Sequence, residues 1–408
     1  MNIYCLADQI WEWIVSLRVY GLALGSIMAT VISAYCGRRK PLIVGMAMQL
    51  AGGLLSALVR SSSIGITLSM FGRFINGFGS GVVQTMWACA GEFFGLLISM
   101  NFAFGNERYW PIALAIPTSI LPLCIICIWR SPESPRHLAL KNKVDEAKKA
   151  LQFYQAREDF EATFLDITTE QRLQTNQTKN ENVWYTPLKD QLLRFRDGLF
   201  VRPLLVAMFT QSFVHLNDWL WVSYSTQVFI NFGMRSTDAQ AASLLMAVPQ
   251  AFVSISLLFC FDNYSRRFLL IAPTVGSVFC GFLATVAIRS RKSLLLLFVA
   301  LKFLYSLPII AAVDLCFAAI ASESAYTVTP ELFLQADRAS GTAIVTFVQN
   351  IFGGLLSTLL LTIINQKGAE YILIPFAIAN ILYVIGVSKN LPETANKTFQ
   401  VRTSNDKL

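Results

Sequence analysis

Long apolar runs, uninterrupted rather than alternating, dominate this chain. They occupy roughly 13–36, 41–59, 66–91, 110–129, 201–222, 240–261, 268–288, 294–320, 340–363 and 371–388. Each comes close to or exceeds the ~20 residues a helix needs to cross about 30 Å of hydrocarbon. Lipid offers the backbone no hydrogen-bond partners, so spanning segments are helices or closed barrels. Continuous runs select helices. A shorter apolar piece, 93–104, follows the third run. The pattern therefore predicts an all-α membrane protein with about ten spans.

One segment breaks the pattern. Residues 131–198 are polar and carry many charges. Within them, 143–167 has helical spacing, with Val144, Ala147, Leu151 and Tyr154 along one face and an Asp145–Lys149 pair one turn apart. The stretch 171–181 reads as a loose linker. This divides the chain into a shortened N-terminal helix bundle (1–130), a helical linker (131–198), a C-terminal six-helix bundle (199–390) and a tail (391–408). The stretch 294–330 would measure about 55 Å as one straight helix. A break is expected near Pro308 or the Ser322/Ser324 pair, where Asp314 and Glu323 lie close by. Proton coupling through Asp314 is a minor reading; solvation at a helix end is preferred.

Composition agrees with the pattern. Hydrophobic residues make up 54% of the 408 positions and charged residues only 14%, against roughly 25% in soluble domains. Mean hydropathy is +0.52. The net charge of +8 could suggest nucleic acid, but the basic residues lie between apolar runs and in the central segment. Placing Arg38, Arg39, Lys40, the central segment, Arg266, Arg267, Arg338 and the C-terminus on one side gathers 23 basic residues there, against seven in the opposite loops. That side is predicted to be cytoplasmic. Seven of the eight cysteines sit in or beside apolar runs, and the Cys124–Cys127 spacing lacks the polar surroundings of a metal or redox site. No cleavable leader is expected from the first residues. No triad, metal cluster or carboxylate pair is apparent, so neither an enzyme nor a cofactor is expected.

The two apolar halves echo each other. Gly37-Arg38-Arg39-Lys40, Glu92 and Pro132-Glu133-Ser134 recur in order as Ser265-Arg266-Arg267, Glu331 and Pro392-Glu393-Thr394. Repeats of this kind mark many secondary transporters, whose solute sites lie at the midplane between halves. The copies are unequal: 62 residues separate Glu331 from Glu393, but only 41 separate Glu92 from Glu133.

These residues resemble the sugar-porter branch of the major facilitator superfamily. "GRRK" and "DNYSRR" are similar to its two loop motifs, and "GRFINGFGSG" (72–81) to its fourth helix. "SPESPRHL" (131–138), "YSTQVF" (224–229), "PELF" with Arg338, and "LPETANKTF" (391–399) resemble the motifs after the sixth helix, in the seventh, and at the ends of the tenth and twelfth. The resemblance implies a twelve-span, two-bundle fold, here without the first span and with the fifth reduced to 93–104. Twelve helical residues rise about 18 Å, short of the bilayer, so 93–104 is expected to extend the preceding helix or form an incomplete span. A chain so shortened is expected to transport poorly.

The resemblance also implies a facilitative carrier of a hexose-like solute, in the plasma membrane. The alternatives are an organic-ion carrier of the same superfamily and a non-transporting relative. It assigns a cytoplasmic gating network to Arg38, Arg39, Arg73, Glu92, Glu133, Arg136, Arg266, Arg267, Glu331, Arg338 and Glu393. Solute contacts are expected from Gln211, His215 and Asn217, in a stretch that also holds Trp219, and from Gln250, Tyr326, Gln349 and Asn350. Amides suit a polyol because they donate and accept without charge. Interhelical hydrogen bonding is the competing role for each. The Gly21/Gly25 and Gly77/Gly81 pairs form G-x-x-x-G, a close-packing device for lipid helices.

Overall fold

The computed structural model describes residues 3–36, 39–57, 63–83, 116–140, 143–154, 164–165, 198–292, 306–333 and 338–391. The first half contains α1 (Ile3–Cys36), α2 (Arg39–Ala57), α3 (Ser63–Val83), a 3-10 turn (Ile116–Ile120) and α4 (Leu121–Arg130). Two short helices follow, α5 (Pro135–Leu140) and α6 (Val144–Tyr154). The second half contains α7 (Gly198–Val214), α8 (Leu216–Phe232), α9 (Ser236–Cys260), α10 (Arg266–Lys292), α11 (Ser306–Glu331), α12 (Arg338–Gln366) and α13 (Glu370–Asn390). Among the described residues, five helices are long and apolar enough to cross a membrane, all in the second half; 13–29 and 118–130 are shorter apolar helices. Residues 93–104, expected to be an incomplete span, lie outside the described residues.

Glycine sets the packing of the first half. A Cβ on Gly21 would strike the Phe74 carbonyl, and one on Gly25 the Phe78 carbonyl. From the other side, Gly77 faces the Arg18 carbonyl and Gly81 the Leu22 carbonyl. The two G-x-x-x-G pairs therefore face each other across the α1–α3 crossing, bringing backbone against backbone. Such contact supplies dispersion energy where lipid, as apolar as the side chains, gives little hydrophobic drive.

The second half is held by large side chains instead. Trp221, Phe229 and Tyr383 are fully enclosed. Outside, α9 presents Leu245, Phe252 and Phe259 along one stripe, with Phe259 81% exposed, a surface that suits lipid and not water. Polar residues bond across helices: the buried Ser225 hydroxyl donates to Ser243 at 3.0 Å, and at the surface the Gln227 amide donates to Asn365 at 3.1 Å.

Two boundaries differ from the apolar runs. The run ending at 222 is only part of a longer element, because α8 continues to Phe232. There Gly233, at φ 99°, closes it with N–H bonds to Phe229 and Ile230. The polar residues of α8 are satisfied across helices, so apolarity alone stops short. The expected break in 294–330 does not occur at Ser322/Ser324: α11 runs unbroken through both, their hydroxyls bonding to the Ala319 and Ile320 carbonyls. Pro308 sits in its first turn, where a missing N–H costs nothing. Residues 293–305, which precede Pro308, lie outside the described residues; a separate break lies at His215, between α7 and α8.

The halves meet where α1 packs on α12. The Thr358 hydroxyl donates to Ser16 Oγ at 3.1 Å and lies 3.3 Å from the Tyr20 hydroxyl, whose ring rests over Gly354.

Candidate solute-binding site

At the α7–α8 break, His215 and five side chains from α7, α8, α11 and α12 form one chain of contacts. Gln211 Nε2 donates to Thr329 Oγ1 at 3.0 Å. Gln211 Oε1 lies 3.3 Å from His215 Nε2. The His215 ring lies 5.1 Å from that of Tyr326 and 6.0 Å from that of Trp219. Gln349 Nε2 then donates to the Tyr326 hydroxyl at 2.9 Å. Gln211, His215 and Gln349 are buried, while Tyr326 is 40% exposed. The break positions this group because α7 stops at Val214 and α8 restarts after His215, whose ψ of 3° leaves the helical range.

Gln349 and two residues next to the group in sequence, Thr210 and Asn350, carry unmet hydrogen-bonding capacity. Gln349 Oε1, Asn350 Nδ2 and Thr210 Oγ1 are buried without a partner among the described residues. Such a group ordinarily costs about 1–3 kcal/mol, and its persistence asks for a ligand or water. An acceptor, a donor and a hydroxyl are what a polyol can satisfy.

The structure thus brings Gln211, His215, Tyr326 and Gln349 together, with Asn350 next along α12. Gln250 is buried on α9. The side chain of Asn217 lies outside the described residues. Thr329 was not anticipated. It lies three residues after Tyr326, one helical turn on the same face, which is the signal that could have found it.

Asp314 corrects an expectation. It does not lie at a solvated helix end: it sits mid-helix in α11, 1% exposed, and accepts the Trp221 indole N–H at 2.7 Å. The cause is the continuity of α11, which carries this position into the bundle.

The charged residues make several separate contacts. Arg266 Nε lies 3.8 Å from Glu331 Oε1, and its guanidinium lies over the Phe261 ring. Glu133 accepts the backbone N–H groups of Arg39 (3.1 Å) and Ser134 (3.0 Å), so its carboxylate caps the start of α2. The Arg39 side chain instead donates to the Trp129 carbonyl in the last turn of α4. In the second half, Arg267 donates in the same way to the Ser388 carbonyl in the last turn of α13. The second arginine of each repeat therefore holds the C-terminal carbonyls of the helix before the Pro-Glu motif. Arg73 lies midway along α3 and donates to the Ile14 carbonyl of α1 at 3.3 Å. That contact is within the first half's helix packing and is separate from the Arg266–Glu331 pair. Arg338 is exposed at the start of α12. Arg136 lies on α5, its side chain outside the described residues, as are Arg38, Glu92 and Glu393.

Comparison with known proteins matches this architecture. The family model described as "Sugar (and other) transporter" matches residues 5–89 and 81–403. The glucose transporter GlcP of Staphylococcus epidermidis is 24% identical, over 95% of this chain and 86% of its own length. A facilitated glucose transporter (member 2) of Gallus gallus is 22% identical, over 96% of this chain and 74% of its own. Among solved structures, the proton:xylose symporter XylE bound to 6-bromo-6-deoxy-D-glucose superposes with a TM-score of 0.73 at 18% identity, covering 99% of this chain and 90% of its own. An inward-open form of XylE from E. coli gives 0.69 at 16%. The helical bundles, the paired loop motifs and the extent of the match converge on one assignment: this multi-pass membrane protein has the fold of the major facilitator superfamily protein XylE and belongs to the sugar (and other) transporter family.

Proposed function

We propose that this chain carries a hexose-like sugar across the plasma membrane by alternating access. The observation that carries the reading is the connected group Gln211–Thr329–His215–Tyr326–Gln349, with buried amide atoms of Gln349 and Asn350 left for a ligand. Neutral donors and acceptors beside aromatic rings suit a polyol and give no counter-charge to an organic ion. Both termini and the 131–198 segment face the cytoplasm in this scheme, and the Arg266–Glu331 pair forms part of the cytoplasmic gate. The test is uptake by the purified chain in proteoliposomes. Saturable entry of radiolabelled D-glucose, absent for L-glucose and weakened by Gln349→Leu, is expected. Equal rates for the two enantiomers, or uptake of tetraethylammonium in their place, would refute it.

A proton-coupled cycle is favoured by one observation, the contact of His215 with Gln211 inside the group, since an intramembrane histidine can relay protons. An inward proton gradient would then drive D-glucose accumulation, and His215→Gln would abolish accumulation while leaving exchange.

A further inference from the structure

The first half carries a second feature, unrelated to the sugar site. A groove of about 230 Å³ runs between α1 and α2, with α3 as its floor. Ile32 forms one wall, Val44 and Met48 the other, and Phe78 and Val82 lie beneath. The lining is apolar throughout; at one end it is formed by the aliphatic stem of Lys40, whose ammonium lies beyond it. Lys40, Val44 and Met48 follow one another at i, i+4 and i+8, so they form a single stripe along α2. That stripe rises about 12 Å along the helix.

The placement of the cation identifies the occupant. Lys40 is exposed in the first turn of α2, beside the end of α1, so it stands at the membrane surface while the groove descends into the hydrocarbon. Val44 is 54% exposed, so the groove opens toward lipid. A helix, about 10–12 Å across with its side chains, does not fit a space of this size; an alkyl chain does. A flexible lysine at the mouth reaches the headgroup level, where one basic residue favours an anionic lipid. We propose that the groove holds an acyl chain of an anionic phospholipid, with its phosphate on Lys40.

Native mass spectrometry of the full chain tests this. Delipidated protein in detergent is offered equimolar phosphatidylglycerol and phosphatidylcholine with identical acyl chains. The phosphatidylglycerol adduct is expected to exceed the other by about fivefold, the weight of one lysine at a charged membrane surface, and Lys40→Gln should make the two equal. Val44→Trp, which fills the groove, should reduce both adducts with Lys40 still in place. Both positions are exposed, so the variants are expected to fold, as monodisperse elution would verify. Equal adducts on the unaltered protein, or a preference that survives Lys40→Gln, would overturn the site. So would inorganic phosphate, offered alone, being retained as well as the lipid.

Discussion

Gly77→Ala adds one methyl group at the α1–α3 crossing. Its Cβ would land on the Arg18 carbonyl oxygen, with the carbonyl carbon at 2.8 Å and Cα at 3.0 Å. Real Cβ atoms almost never approach so closely, and these are backbone atoms with no rotamer to yield. The helices must separate, which also loosens the contacts at Gly21, Gly25 and Gly81. Overpacking of this kind costs roughly 1–3 kcal/mol, offset by at most about 1 kcal/mol of alanine's helix preference over glycine. Gly281→Ala isolates that preference, because its nearest neighbour is the Ala377 Cβ at 4.0 Å, an ordinary contact. The two substitutions should therefore move stability in opposite directions. The assay is the temperature at which each purified variant loses monodisperse elution in one detergent. A Gly77→Ala protein melting at or above the unaltered chain would refute the close-crossing account.

Trp221→Phe leaves the Asp314 carboxylate without its indole donor and should cost about 1–3 kcal/mol. The same change in an Asp314→Leu background should cost less, and equal costs in the two backgrounds would rule out the coupling. Glu331→Gln removes the charge facing Arg266 and should shift cysteine accessibility between the two membrane faces while expression stays normal; unchanged accessibility would argue against gating. With residues 131–198 cytoplasmic, the sequon at Asn176 should remain unmodified in a eukaryotic host, and an endoglycosidase-sensitive mass shift would reverse the assigned orientation.

The helical class and the two-copy organisation were legible because both follow from one-dimensional signals: run length for the spans, and ordered Arg and Pro-Glu motifs for the copies. The α1–α3 crossing was legible for the same reason, since four-residue glycine spacing has few other uses in lipid. What escaped was decided by packing. Ser225, Gln227 and Asn231 lie beyond the apolar run that ends at 222, although the motif at 224–229 resembles a helix; α8 continues through them, with α9 and α12 supplying their hydrogen-bond partners. The α7–α8 break at His215 carries no glycine or proline to announce it, whereas the serines suspected of breaking α11 bond back to their own helix. Gln211 and Gln349 could be named from residue type and motif position. Their connection through Tyr326 and Thr329 needed the angles between three helices. Asp314 looked like a helix-end charge only while α11 was assumed to break.

The paired clasps, Arg39 on Trp129 and Arg267 on Ser388, also bear on how the protein is made. The first joins residues 90 apart and the second residues 121 apart. A nascent chain emerging from the N-terminus can complete the first clasp before α7 is synthesised. The second must wait until α13 has been made. At about 5–20 residues per second, Arg267 spends roughly 6–24 s without its carbonyl partner. During biosynthesis the second half is thus the one whose basic edge stays open to capture by lipid headgroups or chaperones, although among the described residues it holds the larger buried apolar clusters.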